Sequence, residues 1–263
     1  MRLFVASIIA SVVVTPAFAG SGQGTVLYSN ALRDAVIGPE GLPLRDGNFS
    51  DAMASEGQYL RSTAFGQSFR IISDDAARTP TTLTGLRLWG ASEYVELPTG
   101  QLPQNQTALS SNVVALQVAI YRVDKSQTYF PLVQQWIIDM GQITTSLTGS
   151  YVPNILSPVF QLDLQLTGSQ NYTAGDYMIT VGGVLAQDEG SGFAWADGVR
   201  DGSSGGADNR AFVTNGEVSS QWGVWQQVDA DASGAIEIYG IPAPGAIAAV
   251  LVAGLRGNRR RRA

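Results

Sequence analysis

The residues most able to do chemistry in this chain are carboxylates, because the sequence contains no histidine and no cysteine. These two absences remove the Ser-His-Asp and Cys-His arrangements of nucleophilic enzymes and the thiolate ligands of zinc sites. A carboxylate acid–base pair, as in glycoside hydrolases, stays open as an alternative. Asp188 with Glu189, and Asp197 with Asp201, are the available neighbours. Because 22 acidic residues produce such neighbours by chance, we interpret them as solvated loop charges.

One segment has spacing suited to a cation. The sequence DADASGAIE places oxygen-bearing side chains at Asp229, Asp231 and Ser233, which could wrap a hard ion such as Ca²⁺. Gly240 stands where an EF-hand would have its bidentate Glu. These residue types also favour turns, so we predict a turn between the last two strands. We expect no cofactor, and a loosely bound Ca²⁺ is the alternative.

Three tryptophans are candidates for a sugar-stacking surface. Trp195, Trp222 and Trp225 could offer flat rings to the apolar faces of pyranoses. Trp222 and Trp225 are three residues apart, so a regular strand would point them to opposite faces. Core packing is the ordinary role of tryptophan, and glycan stacking is the alternative to it.

The elements that must position these residues are predicted to be β-strands. In the segment Pro158–Leu166, apolar residues at 160, 162, 164 and 166 alternate with polar residues at 161, 163 and 165, which is the period of a half-buried strand. Val114, Leu116, Val118 and Ile120 follow the same pattern, and Phe65–Ile71 nearly repeats it. Further strands are predicted at Thr82–Trp89, Tyr129–Asp139, Asp176–Leu185, Gln221–Val228 and Ala235–Tyr239.

Short strands, Gly-rich turns and the lack of a convincing amphipathic helix predict an all-β domain over residues 20–240. We expect an antiparallel β-sandwich that resembles a jelly roll. A short helix near Ser50–Tyr59 is the one helical segment expected within this body.

The N-terminus has the three ordered parts of a secretory signal peptide. Arg2 is followed by the apolar run Leu3 to Val14, and Ala17-Phe18-Ala19 forms a small-residue cleavage site before Gly20. We therefore predict export, with signal peptidase removing residues 1–19.

The C-terminus, residues 241–263, joins prolines, a short apolar run and arginines. The apolar run from Ala246 to Leu255 is shorter than the roughly twenty residues of a full membrane span. Basic residues that follow such a run keep that end of the chain in the cytoplasm under the positive-inside rule. We predict a short transmembrane stop helix retained by Arg256, Arg259, Arg260, Arg261 and Arg262.

This order of parts resembles the PEP-CTERM sorting signal of Gram-negative surface proteins. The motif residues would be Pro242, Ala243, Pro244 and Gly245, with Ala243 in the place of the family's Glu. The resemblance implies an exosortase-type enzyme as processing partner, transient anchoring in the inner membrane, and then a location at the cell surface or outside the cell. An anchor that is never cleaved is the alternative.

The charge distribution limits the partners of the body. Six of the 16 basic residues, Arg2 and the five tail arginines, lie outside residues 20–240, whereas all 22 acidic residues lie inside. The body therefore has ten basic residues and a formal charge of −12, which disfavours nucleic acid. We predict a non-enzymatic surface or matrix protein. The alternatives are a carbohydrate-binding module for exopolysaccharide, with or without Ca²⁺, and a carboxylate-dependent polysaccharide-active enzyme.

Overall fold

The computed structural model describes residues 24–242, with gaps at 39–40, 45–46, 50, 55–61, 72–80, 93–106, 110, 125, 127–128, 153–156, 187–191, 199–210, 217–221, 225 and 228–232. The described part is built almost wholly of β-strands, which confirms the all-β prediction. It contains no α-helix and one 3-10 turn, Met140–Gln142. The strands are β1 Thr25–Asn30, β2 Val36–Ile37, β3 Pro43–Leu44, β4 Gly47–Phe49, β5 Asp51–Ala54, β6 Ser62–Ile71, β7 Thr81–Ser92, β8 Val113–Arg122, β9 Tyr129–Asp139, β10 Thr144–Tyr151, β11 Pro158–Gln165, β12 Asn171–Tyr172, β13 Gly175–Leu185, β14 Phe193–Ala196, β15 Ala211–Gly216, β16 Trp222–Val224, β17 Gln226–Gln227 and β18 Ile236–Pro242.

The described strands form two sheets. Sheet one has the order β1-β18-β7-β11-β10-β3-β2, and β12 and β14 also pair with the long strand β7. Sheet two has the order β16-β9-β8-β13-β6-β15-β17, with β5 pairing β13. All of these pairs are antiparallel except β10 with β3 and β13 with β5. Neighbours in a sheet are often far apart in sequence, so the sheets form only when distant segments meet.

The two sheets share one hydrophobic core. Leu86 and Leu162 of sheet one and Val118 and Ile179 of sheet two are fully buried in the same cluster. Each such side chain contributes about 1.5–3 kcal/mol of transfer free energy when it leaves water. The alternation predicted for Pro158–Leu166 is confirmed, because its apolar residues are buried and its polar residues are wholly or partly exposed.

Two local expectations were wrong. Asp51–Ala54, the described part of the segment near Ser50–Tyr59 where a short helix was considered, forms strand β5 and pairs with β13. Val114 does not share the buried face of Leu116, and its side chain is 44% exposed. Leu185 of β13 pairs with Val113 while Val184 pairs with Ala115, so Val114 is the extra residue of a β-bulge. A bulge shifts the alternation by one residue, which exposes Val114 and buries Val113.

The first and last strands lie side by side. Thr25 pairs with Gly240, and β18 in turn pairs with β7 on its other side, out to Pro242 opposite Thr81. The last strand thus runs two residues past the boundary expected at Gly240. Both ends of the described chain emerge at the same place in sheet one.

Candidate functional site

A groove of about 310 Å³ lies where the chain passes from sheet two to sheet one. Strand β9 ends at Asp139, the 3-10 turn Met140–Gln142 reverses the chain, and β10 begins at Thr144 in the other sheet. Ile143 anchors this crossing because its side chain is buried in the core and its N–H donates to the Met140 carbonyl. The groove is lined by Trp136, Ile137, Ile138, Gln142, Thr144, Asp163, Gln165 and Thr167.

Trp136 is the only tryptophan among these lining residues, and its ring is held in place. It is half-buried, packs against the shared core, and donates from Nε1 to the Thr167 carbonyl oxygen at 2.9 Å. The loop that contains Thr167 is fastened to β9 by further bonds. Gln134 donates to the Gly168 carbonyl, and the Gln170 amide side chain donates to the Val133 carbonyl, both at 2.9 Å. One edge of the groove is therefore rigid.

Four polar side chains that line the groove are available to hydrogen-bond a ligand. Gln142, Thr144, Gln165 and Thr167 make no side-chain hydrogen bond to any residue in the described part of the chain. Their side chains are exposed to solvent, so no buried group is left unsatisfied in the unliganded protein. Together they supply amide and hydroxyl groups that both donate and accept.

The carboxylate of Asp163, which lines the groove, is paired with neighbouring side chains on the outer face of sheet one. Arg87 Nε donates to Asp163 Oδ1 at 2.7 Å, and Gln161 Nε2 donates to Asp163 Oδ2 at 3.0 Å. Arg87 also lies 3.5 Å from Glu237, whose carboxylate accepts a hydrogen bond from the Tyr239 hydroxyl. Burial by itself would lower the pKa of Arg87, but the hydrogen bond and charge of Asp163 raise it above its ordinary value. Asp163 is thus an ion-pair partner rather than a free acid or base.

Trp195, for which the sequence left glycan stacking as the alternative to core packing, is buried in the core. Its side chain is 0% exposed, lies edge-on to Phe65 at 5.7 Å, and donates from Nε1 to the Ala235 carbonyl at 2.8 Å. Neither ring face can reach a sugar. Trp222 lies in β16 opposite Pro131, but its side chain and the whole of Trp225 lie outside the described residues.

The predicted cation site is described only at one end. Ser233 is fully buried and donates from its hydroxyl to the Gly198 carbonyl at 2.8 Å, while Asp229 and Asp231 lie outside the described residues. Within the described ranges no three acidic side chains group closely enough to hold a metal ion. Of the candidate acid pairs only Asp197 is described, and it is buried, with its main chain bridged to Gly234.

Most residues of the predicted targeting segments lie outside the described part. These are Ala17, Ala19, Gly20, Ala243, Pro244, Gly245, Arg256, Arg259, Arg260, Arg261 and Arg262. Ile241 and Pro242 are the exceptions, because they are the last two residues of β18. In the described ranges no helix combines the length and the apolar character needed to cross a bilayer.

Sequence reasoning missed the groove. Trp136 follows two glutamines in the predicted strand Tyr129–Asp139, and this local polarity was the one available signal. Gln142 and Gln165 reach the same groove only through the pairing of β10 with β11 and the crossing between sheets. Comparisons with protein-family models, curated proteins and solved structures find no match to this chain.

Proposed function

We propose that this chain is an exported, non-enzymatic surface or matrix protein. Its N-terminal and C-terminal targeting segments would join the body at the same end. The observation that supports the proposal is the pairing of Thr25 with Gly240. A signal peptide ending at Ala19 and a membrane tail following Pro242 would both adjoin the body at this one place. The body would then project away from the membrane during export.

The finer architecture is part of the same proposal. The two sheets with a common core suit a β-sandwich of jelly-roll type, bounded by residues 20 and 242. Ion pairing of described carboxylates in both sheets favours a structural role. Asp163 and Glu237 of sheet one share Arg87, and Asp176 of sheet two pairs with Arg70 at 2.6 Å. Each of these carboxylates is already engaged by an arginine, so a substrate would have to displace that partner.

Release from the membrane is proposed to follow cleavage by an exosortase-type enzyme. Pro242 pairs with Thr81 at the end of β18, and Ala243, Pro244 and Gly245 follow it in the sequence as the proposed site of cleavage. Proline lacks an N–H and disfavours helix in the residue before it, so this stretch should stay extended. The short apolar run beyond it is suited to a temporary stop.

The test is expression of the full chain in a Gram-negative host with and without an exosortase. We expect the exported protein to begin at Gly20, and release into the medium to require the enzyme. Pro244→Ala should leave membrane insertion intact and block release, while replacing Arg259 through Arg262 by serine should weaken retention.

Ile241→Ala is the matched control, because this residue is 48% exposed and precedes the motif. Release of the Pro244→Ala protein at the normal size and rate would show that the tail is only an anchor. Retention of Met1 in the exported protein would rule out the signal peptide.

A further inference from the structure

The groove beside Trp136 offers an aromatic ring that is fixed before any ligand arrives. The ring packs against the core, and its N–H is already bonded to the Thr167 carbonyl at 2.9 Å. A side chain held this way loses little conformational freedom when a ligand stacks on it. Flat aromatic surfaces suit ligands that have an apolar face and a polar edge.

The polar side chains around the ring determine which polar groups a bound ligand must carry. Gln142, Gln165, Thr144 and Thr167 come from the 3-10 turn, β11, β10 and the loop after β11. None of their side chains makes a hydrogen bond to a described residue. An amide offers two donors and an acceptor, and a hydroxyl offers both functions. A ligand that satisfies several of them must itself carry many hydroxyl or amide groups.

The charge of the groove selects against ions. Asp163 is the one ionisable residue among its lining residues, and both carboxylate oxygens are engaged by Arg87 and Gln161. An anionic ligand would face this carboxylate and a body with a formal charge of −12 from its ten basic and 22 acidic residues. A cationic ligand would have to displace Arg87.

We propose that this groove binds neutral carbohydrate, with a sugar ring on Trp136 and its hydroxyls bonded to Gln142 and Gln165. The volume of about 310 Å³ is at the small end of ligand sites, which span about 300–1,000 Å³. It suits one or two sugar units of a longer chain. Nothing in the proposed export and anchoring requires this binding.

The experiment is titration calorimetry of the purified full-length protein with neutral oligosaccharides of glucose, mannose and N-acetylglucosamine, and with polygalacturonate as an anionic probe. We expect a neutral probe to bind. Trp136→Ala should lower its affinity about tenfold or more, since stacking and area burial are lost together. Trp136→Phe should restore part of the affinity, because phenylalanine keeps an aromatic face. The recovery should be incomplete, because phenylalanine lacks the N–H that bonds to the Thr167 carbonyl.

Gln142→Ala and Gln165→Ala should each lower the affinity about two- to tenfold through the loss of one hydrogen bond. Both side chains are exposed, so these variants keep the test valid even where Trp136→Ala fails to fold. Gln135→Ala is the matched control, because this neighbour pairs with Ala119 on β8 and does not line the groove.

Three results would overturn the proposal. They are the failure of every neutral probe to bind at millimolar concentration, unchanged affinity in all the groove variants, and binding confined to polygalacturonate. The purified protein is assayed without a membrane or a processing enzyme, so failure here leaves the proposed export untouched.

Discussion

At the scale of single residues, two tryptophans on facing sheets have opposite environments. Trp195 of β14 is enclosed by Phe65, and a Cβ placed on Gly234 would lie 2.6 Å from its ring. Trp136 of β9 is half-buried and borders a groove of polar side chains. Both N–H groups are bonded to main-chain carbonyls, of Ala235 and Thr167 respectively. The difference lies in what faces each ring, and it separates a stabilising residue from a candidate binding residue.

The burial of Trp195 predicts a large stability effect. Trp195→Ala should lower the free energy of unfolding by about 3–5 kcal/mol, because it leaves a cavity in the shared core. Urea denaturation followed by circular dichroism measures the change. Ile137→Ala is the control, since this side chain is 64% exposed and its loss should cost less than about 0.5 kcal/mol. Equal effects of the two substitutions would contradict the buried position of Trp195.

Two buried tyrosines predict a loss of stability in alkali. Burial raises the pKa of Tyr172 and of Tyr239, and the hydrogen bond of Tyr239 to Glu237 raises the latter further. In the unfolded chain tyrosine ionises near pH 10. The stabilisation is therefore complete below about pH 10 and is lost as the pH rises toward the folded-state values.

The double variant Tyr172→Phe, Tyr239→Phe tests the origin of this loss. The free energy of unfolding of the native protein should fall as the pH rises above about 10, and that of the variant should fall less. Identical slopes in the two proteins would assign the alkaline loss to other groups. Tyrosinate absorbance of the folded protein, measured over the same range, reports the ionisation directly.

At the scale of elements, β18 depends on close main-chain contacts with its neighbours. A Cβ on Gly240 would meet the side chain of Leu27 on β1 and lie 2.8 Å from the Thr82 carbonyl oxygen on β7. The leucine could rotate away, but the carbonyl is part of the sheet and cannot move freely. Glycine at position 240 thus lets the strand lie between β1 and β7, at the register shift between Tyr239 and Gly240.

This contact predicts that Gly240→Ala lowers the free energy of unfolding by about 1–3 kcal/mol through overpacking. Gly141→Ala is the matched control, because a Cβ there meets nothing within 4 Å. It should be neutral or stabilise by about 0.4–1 kcal/mol, since alanine restricts the unfolded chain. Thermal unfolding monitored by circular dichroism compares the two. A tolerated Gly240→Ala would show that β18 can shift away from β7.

At the scale of the whole molecule, the fold is closed by the contact of its ends. β18 completes sheet one by pairing with β1 and β7, which precede it by most of the chain. Such long-range pairing carries a large loop-closure entropy and slows folding.

The antiparallel pairing of β1 and β18 predicts a successful circular permutant. Joining Pro242 to Gly24 by a short turn would make these strands a hairpin, with new ends between Gly205 and Gly206 in the Gly-rich segment. We expect the native far-UV spectrum and faster refolding in a stopped-flow measurement, because the closing contact becomes local. A native-like permutant that refolds no faster would show that the β1–β18 pairing does not limit folding.

The sequence by itself determined the β-class of the body and the position of its main strands. Tyr129–Asp139 was predicted with the bounds that β9 has, and the two faces of Pro158–Leu166 were assigned correctly. This was possible because side-chain alternation is a local property with a period of two residues. The targeting segments also rest on local patterns, and they stay predictions.

Only the tertiary structure decided which tryptophan is buried, where the groove lies, and that Val114 is exposed. The residue pattern within each strand does not show what lies opposite Trp136 or Trp195 in the folded protein. Their exposure depends on which distant strands lie opposite, as when the crossing from β9 to β10 brings Gln142 and Gln165 beside Trp136. The bulge at Val114 likewise follows from its pairing with β13. Contacts between distant segments set these features, and no short window of sequence contains both partners.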